Sequence, residues 1–127
     1  MSLTFTVAGK PIPQPRSRSA AGDIAKRMTE AELAANILDA AAKLGWRVKR
    51  DPTWRATCAC PGFPDLTMAR ETANGQARLI YAELKRENGK LTRPQEEWLA
   101  LLRKTGVGVY VWQPRDWLSG GILEVLS

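Results

Sequence analysis

The sequence predicts an α/β domain in which one mixed sheet is flanked by helices. Three observations carry that expectation. Two segments repeat apolar residues at helical spacing, four shorter ones alternate or run apolar at strand length, and the order is helix, strand, strand, strand, helix, strand. No internal repeat or low-complexity segment interrupts them.

The chain opens on Leu3-Thr-Phe-Thr-Val7, whose period-two alternation predicts a short strand. Gly9 to Pro15 follows, with three prolines in five residues, and cannot join a central ladder. The stretch through Ser19-Ala-Ala-Gly22 reads as a linker. A boundary is expected near Arg27, dividing a basic arm, residues 1–27, from a domain, residues 28–127.

Thr29 to Leu44 predicts the first helix. Thr29 and Glu32 match a capping box, while Leu33, Ile37, Leu38 and Ala41 form one apolar face and Gly45 stops it. Trp46 to Arg50 alternates and reads as a strand, and Asp51 to Pro64 as an irregular loop. Asp65 to Arg70 and Arg78 to Lys85 read as two strands of a hairpin, because Asn74-Gly75 lies between them. A second helix starts at Thr92, where Gln95 completes another capping box, and stops near Gly106. Val107 to Trp112 is the most hydrophobic strand and is expected at the centre of the sheet. Asp116 to Ser127 is a tail without assigned structure. Trp98 and Trp112 are expected in the core; Trp46 and Trp54 are unassigned.

The 127 residues suit one hydrophobic core, and no apolar run approaches the roughly 20 residues that span a bilayer. Met1 to Val7 alternates, unlike the apolar core of a signal peptide, so a cytoplasmic setting is expected, in a bacterial or phage-infected cell. The net charge of +6 favours a polyanionic partner. It is unevenly spread: residues 1–27 carry +4 and the other hundred only +2. With no histidine, Ser-His-Asp and Cys-His catalysis and His-ligated zinc are excluded. Cys58 and Cys60 fall short of a four-ligand zinc site, and a disulfide across one residue is strained. Catalysis here must rest on carboxylates, lysines, backbone groups and a metal.

Asp65 opens one hairpin strand, and Glu83-Leu84-Lys85 closes the other. Side chains two apart on a strand share a face, so Glu83 and Lys85 point together and Leu84 points away. Two carboxylates at one end of a sheet make a hard oxygen site for Mg2+ or Mn2+. A neighbouring lysine can orient a water or offset charge on a phosphate. These are the parts that phosphodiester hydrolysis needs. Singly, each reads as well as an ordinary solvated strand residue; their combination points to chemistry. The register stays open at this level. A tight turn centred on Asn74-Gly75 pairs Asp65 with Leu84, on the wrong face, whereas a bulge or looser tip pairs the carboxylates.

Gly62-Phe-Pro-Asp-Leu66, Ala82-Glu-Leu-Lys85, Gly89-Lys-Leu-Thr92 and Gln95-Glu-Glu-Trp98 resemble the signature of the VRR-NUC family, a branch of the PD-(D/E)xK nucleases. The opening Met28-Thr-Glu-Ala31 and the ending Val109-Tyr-Val-Trp-Gln-Pro-Arg115 extend the likeness over about Met28 to Trp117. The resemblance implies a restriction-endonuclease-like core and DNA cleavage dependent on Mg2+ or Mn2+. It implies that Asp65 and Glu83 bind metal with the carbonyl of Leu84. Lys85 matches the catalytic lysine, Gln95 the glutamine that organises the site, and Glu30 the first-helix glutamate. Small stand-alone members resemble structure-specific enzymes acting as dimers, so branched DNA, a Holliday-junction resolvase activity and a homodimer are expected. The departures lie mainly in the Pro52 to Pro61 loop, where Thr57-Cys-Ala-Cys60 stands.

A second likeness lies in the arm. Phe5 to Arg18 is similar to the opening of RusA-type Holliday-junction resolvases, but the acidic metal site of that fold does not follow. Arg16, Arg18, Arg47, Lys49, Arg50 and Arg86 are the candidates for phosphate contacts. The rival readings are a flap or nicking nuclease and a DNA-binding module without catalysis.

Overall fold

The computed structural model describes residues 6–7, 10–11, 18–51 and 60–127. Thr6–Val7 (β1) and Lys10–Pro11 (β2) pair with each other in a small antiparallel ladder. Among the described residues these two strands form their own sheet, separate from the four-stranded one. Instead of the expected linker, Arg18–Arg27 forms a helix, α1, which packs against the later helix α4 and buries Ala25. Its alanines are strong helix formers, and the tertiary contact outweighs the cost of Gly22.

Helix α2 spans Glu30–Lys43. Thr29 caps it as expected, its hydroxyl accepting from the Glu32 N–H at 3.1 Å. That hydroxyl also donates to Glu32 Oε1 at 3.2 Å, in place of the bond from the Thr29 N–H that the expected capping box requires. At the other end the Trp46 N–H reaches Ala41 O at 2.9 Å and the Gly45 N–H reaches Ala42 O at 3.3 Å, which is a Schellman closure.

Strands β3 (Arg47–Arg50), β4 (Leu66–Glu71) and β5 (Ala77–Leu84) form an antiparallel meander. Helix α3 (Arg93–Lys104) then crosses over to β6 (Gly108–Trp112), which runs parallel to β5. The sheet order is β3-β4-β5-β6. Among the described residues β6 therefore lies at an edge, not at the centre. The hairpin places β4 on one side of β5, so a crossover strand can only take the other. The apolar character of β6 is spent on its two faces, since both α3 and α4 contact it.

The tail is also structured, as α4 (Pro114–Leu118) and α5 (Gly121–Leu126). Ile122 and Leu126 are fully buried and join Leu33, Ile37, Leu66 and Met68 in the main core. Helices this short are held by packing and not by propensity, which is why no long period announces them. Trp46 anchors α5: its Nε1 donates to Leu126 O at 2.8 Å while Arg70 donates to the same carbonyl at 2.9 Å. Arg78 donates to Val125 O at 3.2 Å, and both guanidiniums lie over the Trp46 ring. Trp46 and Trp112 are core residues; Trp54 lies outside the described residues.

Helices α2 and α5 cover one face of the sheet. Helix α3 lies on the other, where Phe63 packs edge-on against both Tyr81 and Trp98. Asp65 and Glu83 belong to this second face.

Candidate active site

The turn decides whether the two carboxylates meet. The Thr72 N–H reaches Gln76 O at 2.6 Å, the Gly75 N–H reaches Thr72 O at 3.0 Å, and Gly75 sits at φ +81°. The tip is thus three residues, Ala73-Asn74-Gly75: a type I turn followed by a left-handed residue. Leu66 accordingly faces Ala82, and Glu71 faces Ala77. One step further, Asp65 lies opposite Glu83. Had Asn74-Gly75 formed a two-residue turn, Asp65 would have faced Leu84 and pointed into the core. The looser tip puts Asp65, Glu83 and Lys85 on one face.

Asp65 is 6% exposed and Glu83 2%, so both carboxyls are taken out of water. The Leu84 N–H donates to Asp65 Oδ2 at 2.8 Å. Gln95 Nε2 donates to Glu83 Oε1 at 2.9 Å, while Gln95 Oε1 accepts from the Thr92 N–H at 2.9 Å. One side chain therefore completes the cap of α3 and holds a site carboxylate. Glu83 Oε2 is buried without a hydrogen-bond partner. Burial, and then the charge of Asp65, push the Glu83 carboxyl up to about 8. Burial also raises Asp65; Glu30 adds to that push, and Lys85 opposes it at both groups. Glu83 therefore holds a proton near neutrality, because burial and the adjacent Asp65 carboxylate outweigh the opposing charge of Lys85.

A buried, unpartnered carboxylate oxygen beside a second carboxylate is what a bound cation relieves, and oxygen donors suit a hard divalent ion. No three His, Cys, Asp or Glu side chains converge among the described residues. The chain offers two carboxylates plus backbone oxygen, a partial set of the kind Mg2+ accepts alongside phosphate and water. These residues fit the ion.

Glu30 is the exposed first residue of α2, close enough to act on Asp65. Leu84 buries its side chain in the core and turns its N–H toward Asp65. Lys85 is half-buried, and its N–H bonds Trp112 O at 2.9 Å. Arg47, Lys49 and Arg50 are exposed on β3, and Arg86 is exposed just after Lys85. Arg18 opens α1; Arg16 and Cys58 lie outside the described residues.

Two supports escaped the sequence reading. Gly62 sits at φ +86°, and a Cβ there would lie 2.4 Å from the Pro94 carbonyl carbon and 2.6 Å from the Gln95 nitrogen. Only glycine lets the segment leading into Asp65 rest on the first turn of α3. Glu87, its side chain 7% exposed, accepts from the Arg115 N–H at 3.1 Å and pairs with the Arg115 guanidinium. This ties the loop after Lys85 to the start of α4. Glu87 follows Lys85 and Arg86 in sequence with nothing local to mark its role; its partner, Arg115, stands after Pro114 at a helix start.

The mixed four-stranded sheet with flanking helices, bearing paired carboxylates where adjacent strands meet, defines an α/β domain of the restriction-endonuclease-like kind. A family model, the VRR-NUC domain, matches residues 24–116. The chain belongs to the VRR-NUC family and is a nuclease of the PD-(D/E)xK type, with DNA as its substrate. The match begins beyond the Phe5 to Arg18 stretch on which the RusA likeness rests. Comparison with curated proteins and with solved structures gave no match. No helix among the described residues is long and apolar enough to cross a membrane.

Proposed function

We propose that the chain is a divalent-metal-dependent endonuclease that hydrolyses phosphodiester bonds in branched DNA, with Mg2+ or Mn2+ as its ion. The observation that carries this reading is the buried Asp65–Glu83 pair with Glu83 Oε2 left without a partner. Asp65 and Glu83 hold the ion. The carbonyl of Leu84 joins them: in an extended strand a residue's N–H and C=O leave by the same edge, and the Leu84 N–H already points to Asp65. A divalent ion bound there supplies Lewis acidity toward the scissile phosphate.

In hydrolysis, a water oxygen bonds to phosphorus as one phosphorus–oxygen bond to the sugar breaks. Lys85 shares the Glu83 face and places its ammonium against the charge that develops on the phosphate, or orients the water. Gln95 fixes Glu83 Oε1, so Oε2 would be the donor available to a cation. Glu30 adds negative charge at the mouth of the site. Symmetric resolution of a four-way junction calls for two such sites, which a two-fold homodimer provides.

The test is cleavage of labelled four-way junction, flap, nicked and linear duplex DNA in Mg2+, Mn2+ or EDTA, with Asp65→Asn beside the native protein. Metal-dependent cutting that disappears in Asp65→Asn is the expected result, with paired cuts confined to the junction. Cutting of flaps or nicks alone would replace the junction reading with theirs. DNA that is bound but left intact in both metals would leave a binding module.

A further inference from the structure

Among the described residues, only part of the sheet face that carries Asp65 and Glu83 is covered. Helix α3 shelters the β5–β6 side through Phe63, Tyr81 and Trp98. On the β3–β4 side, Arg47, Lys49 and Ala69 are exposed. The register places these residues in rows across the strands. Next to the Asp51–Asp65–Glu83 row lies Lys49–Thr67–Tyr81, and beyond it Arg47–Ala69–Leu79. Alternation puts all three rows on one face. Val48 and Arg50 belong to the opposite face, with Met68 and Leu66, and Val48 packs there against the main core.

Resting on the nuclease reading above, we propose that this open half-face is the track along which the sugar–phosphate backbone of the substrate approaches the site, with Lys49 and Arg47 meeting successive phosphates. Side chains two positions apart on a strand stand about 7 Å from each other. That is close to one nucleotide step along a DNA strand. Thr67 and Ala69, the neighbours of these cations on β4, are small and leave the surface low enough for a backbone to lie against it. Lys49 pairs with Asp51 at 3.4 Å, with its own side chain 76% exposed. Such a surface pair is weak and readily exchanged for a phosphate. The track ends at the carboxylate row, where Asp51 closes its β3 side, so a strand seated on it crosses from Lys49 over Thr67 to present its next phosphate to Asp65 and Glu83. Arg50, level with Lys49 in sequence, takes no part.

The experiment is the salt dependence of binding of fluorescent duplex and four-way junction DNA, with EDTA holding cleavage off. It compares the native protein with Arg47→Ala, Lys49→Ala, the double variant, and Lys43→Ala as a charge-matched control on exposed α2. Removing one cation from a phosphate makes the slope of log K against log salt shallower by about 1, so the double variant is shallower by about 2, equally on all DNA sequences. Lys43→Ala keeps the native slope. Native slopes in both Arg47→Ala and Lys49→Ala would overturn the track. A changed oligomeric state of these variants in sedimentation would also overturn it, giving the face to a second copy of the chain. Cleavage in Mg2+ is read separately. Metal-dependent cutting with unmoved slopes sinks the track alone, and shifted slopes without any cutting sink the nuclease reading alone.

Discussion

Gly62 and Gly75 both sit in the left-handed region, but they answer to different demands. A Cβ on Gly75 meets nothing within 4 Å, whereas one on Gly62 runs into the backbone of α3. Gly75→Ala should therefore cost only the conformational term, about 1–2 kcal/mol in denaturant unfolding, with cleavage unchanged per folded molecule. Gly62→Ala adds an overpacking term, for about 2–4 kcal/mol in all, and should lower cleavage by moving Gln95 away from Glu83. Equal losses of stability and activity in the two variants would refute this division. Gln95 joins the two levels most directly. Gln95→Met removes the partners of both the Thr92 N–H and Glu83 Oε1, so about 1–3 kcal/mol and a fall in kcat are expected together. Its part in the helix cap was legible from Thr92-x-x-Gln95; its reach to Glu83 came only with the packing of α3 on β5.

Among the elements, α5 depends most on its neighbours. Six residues cannot hold a helix alone, and its last carbonyls are met by Trp46, Arg70 and Arg78 from the sheet. Trp46→Phe keeps an aromatic ring but removes the N–H donor and leaves a cavity where the indole was larger, so it should cost about 1–3 kcal/mol. Arg70→Met loses a charged donor at a helix C-terminus, for about 1–3 kcal/mol. Both should shift the denaturant midpoint and leave cleavage alone, since they act on the face opposite Asp65 and Glu83. Loss of cleavage at unchanged stability would contradict that. The same dependence explains why α5 and α1 were not legible: their alanines, glycines and short apolar runs become helices through burial against α4 and the sheet. Apolar character was enough to mark β6 as a strand, but its place at an edge follows from the hairpin occupying the other side of β5.

For the molecule as a whole, the buried carboxylate pair ties stability to pH and to metal. The Glu83 pKa is raised in the folded state, from 4.5 to about 8. Its contribution is therefore fully present below about pH 4.5 and is lost as pH rises through about 8. Metal-free protein in EDTA should lose thermal stability across that window, and Glu83→Gln should flatten the decline. Mg2+ or Mn2+ should restore stability most at the alkaline end, because at lower pH the ion must displace the proton that Glu83 holds. A metal-induced rise in Tm that is largest at pH 5 would contradict this. Local patterns were enough to reveal the α/β class, four strands and two capped helices, and to single out Asp65, Glu83 and Lys85 as candidates, because alternation, capping and turn residues act over a few neighbours. They could not choose between a two- and a three-residue hairpin tip, and that single residue decides whether Asp65 meets Glu83 or points into the core. Packing made the choice: only the three-residue tip buries Leu66 and Met68 on the same face as Ile80 and Ala82 while bringing the two carboxylates together on the other.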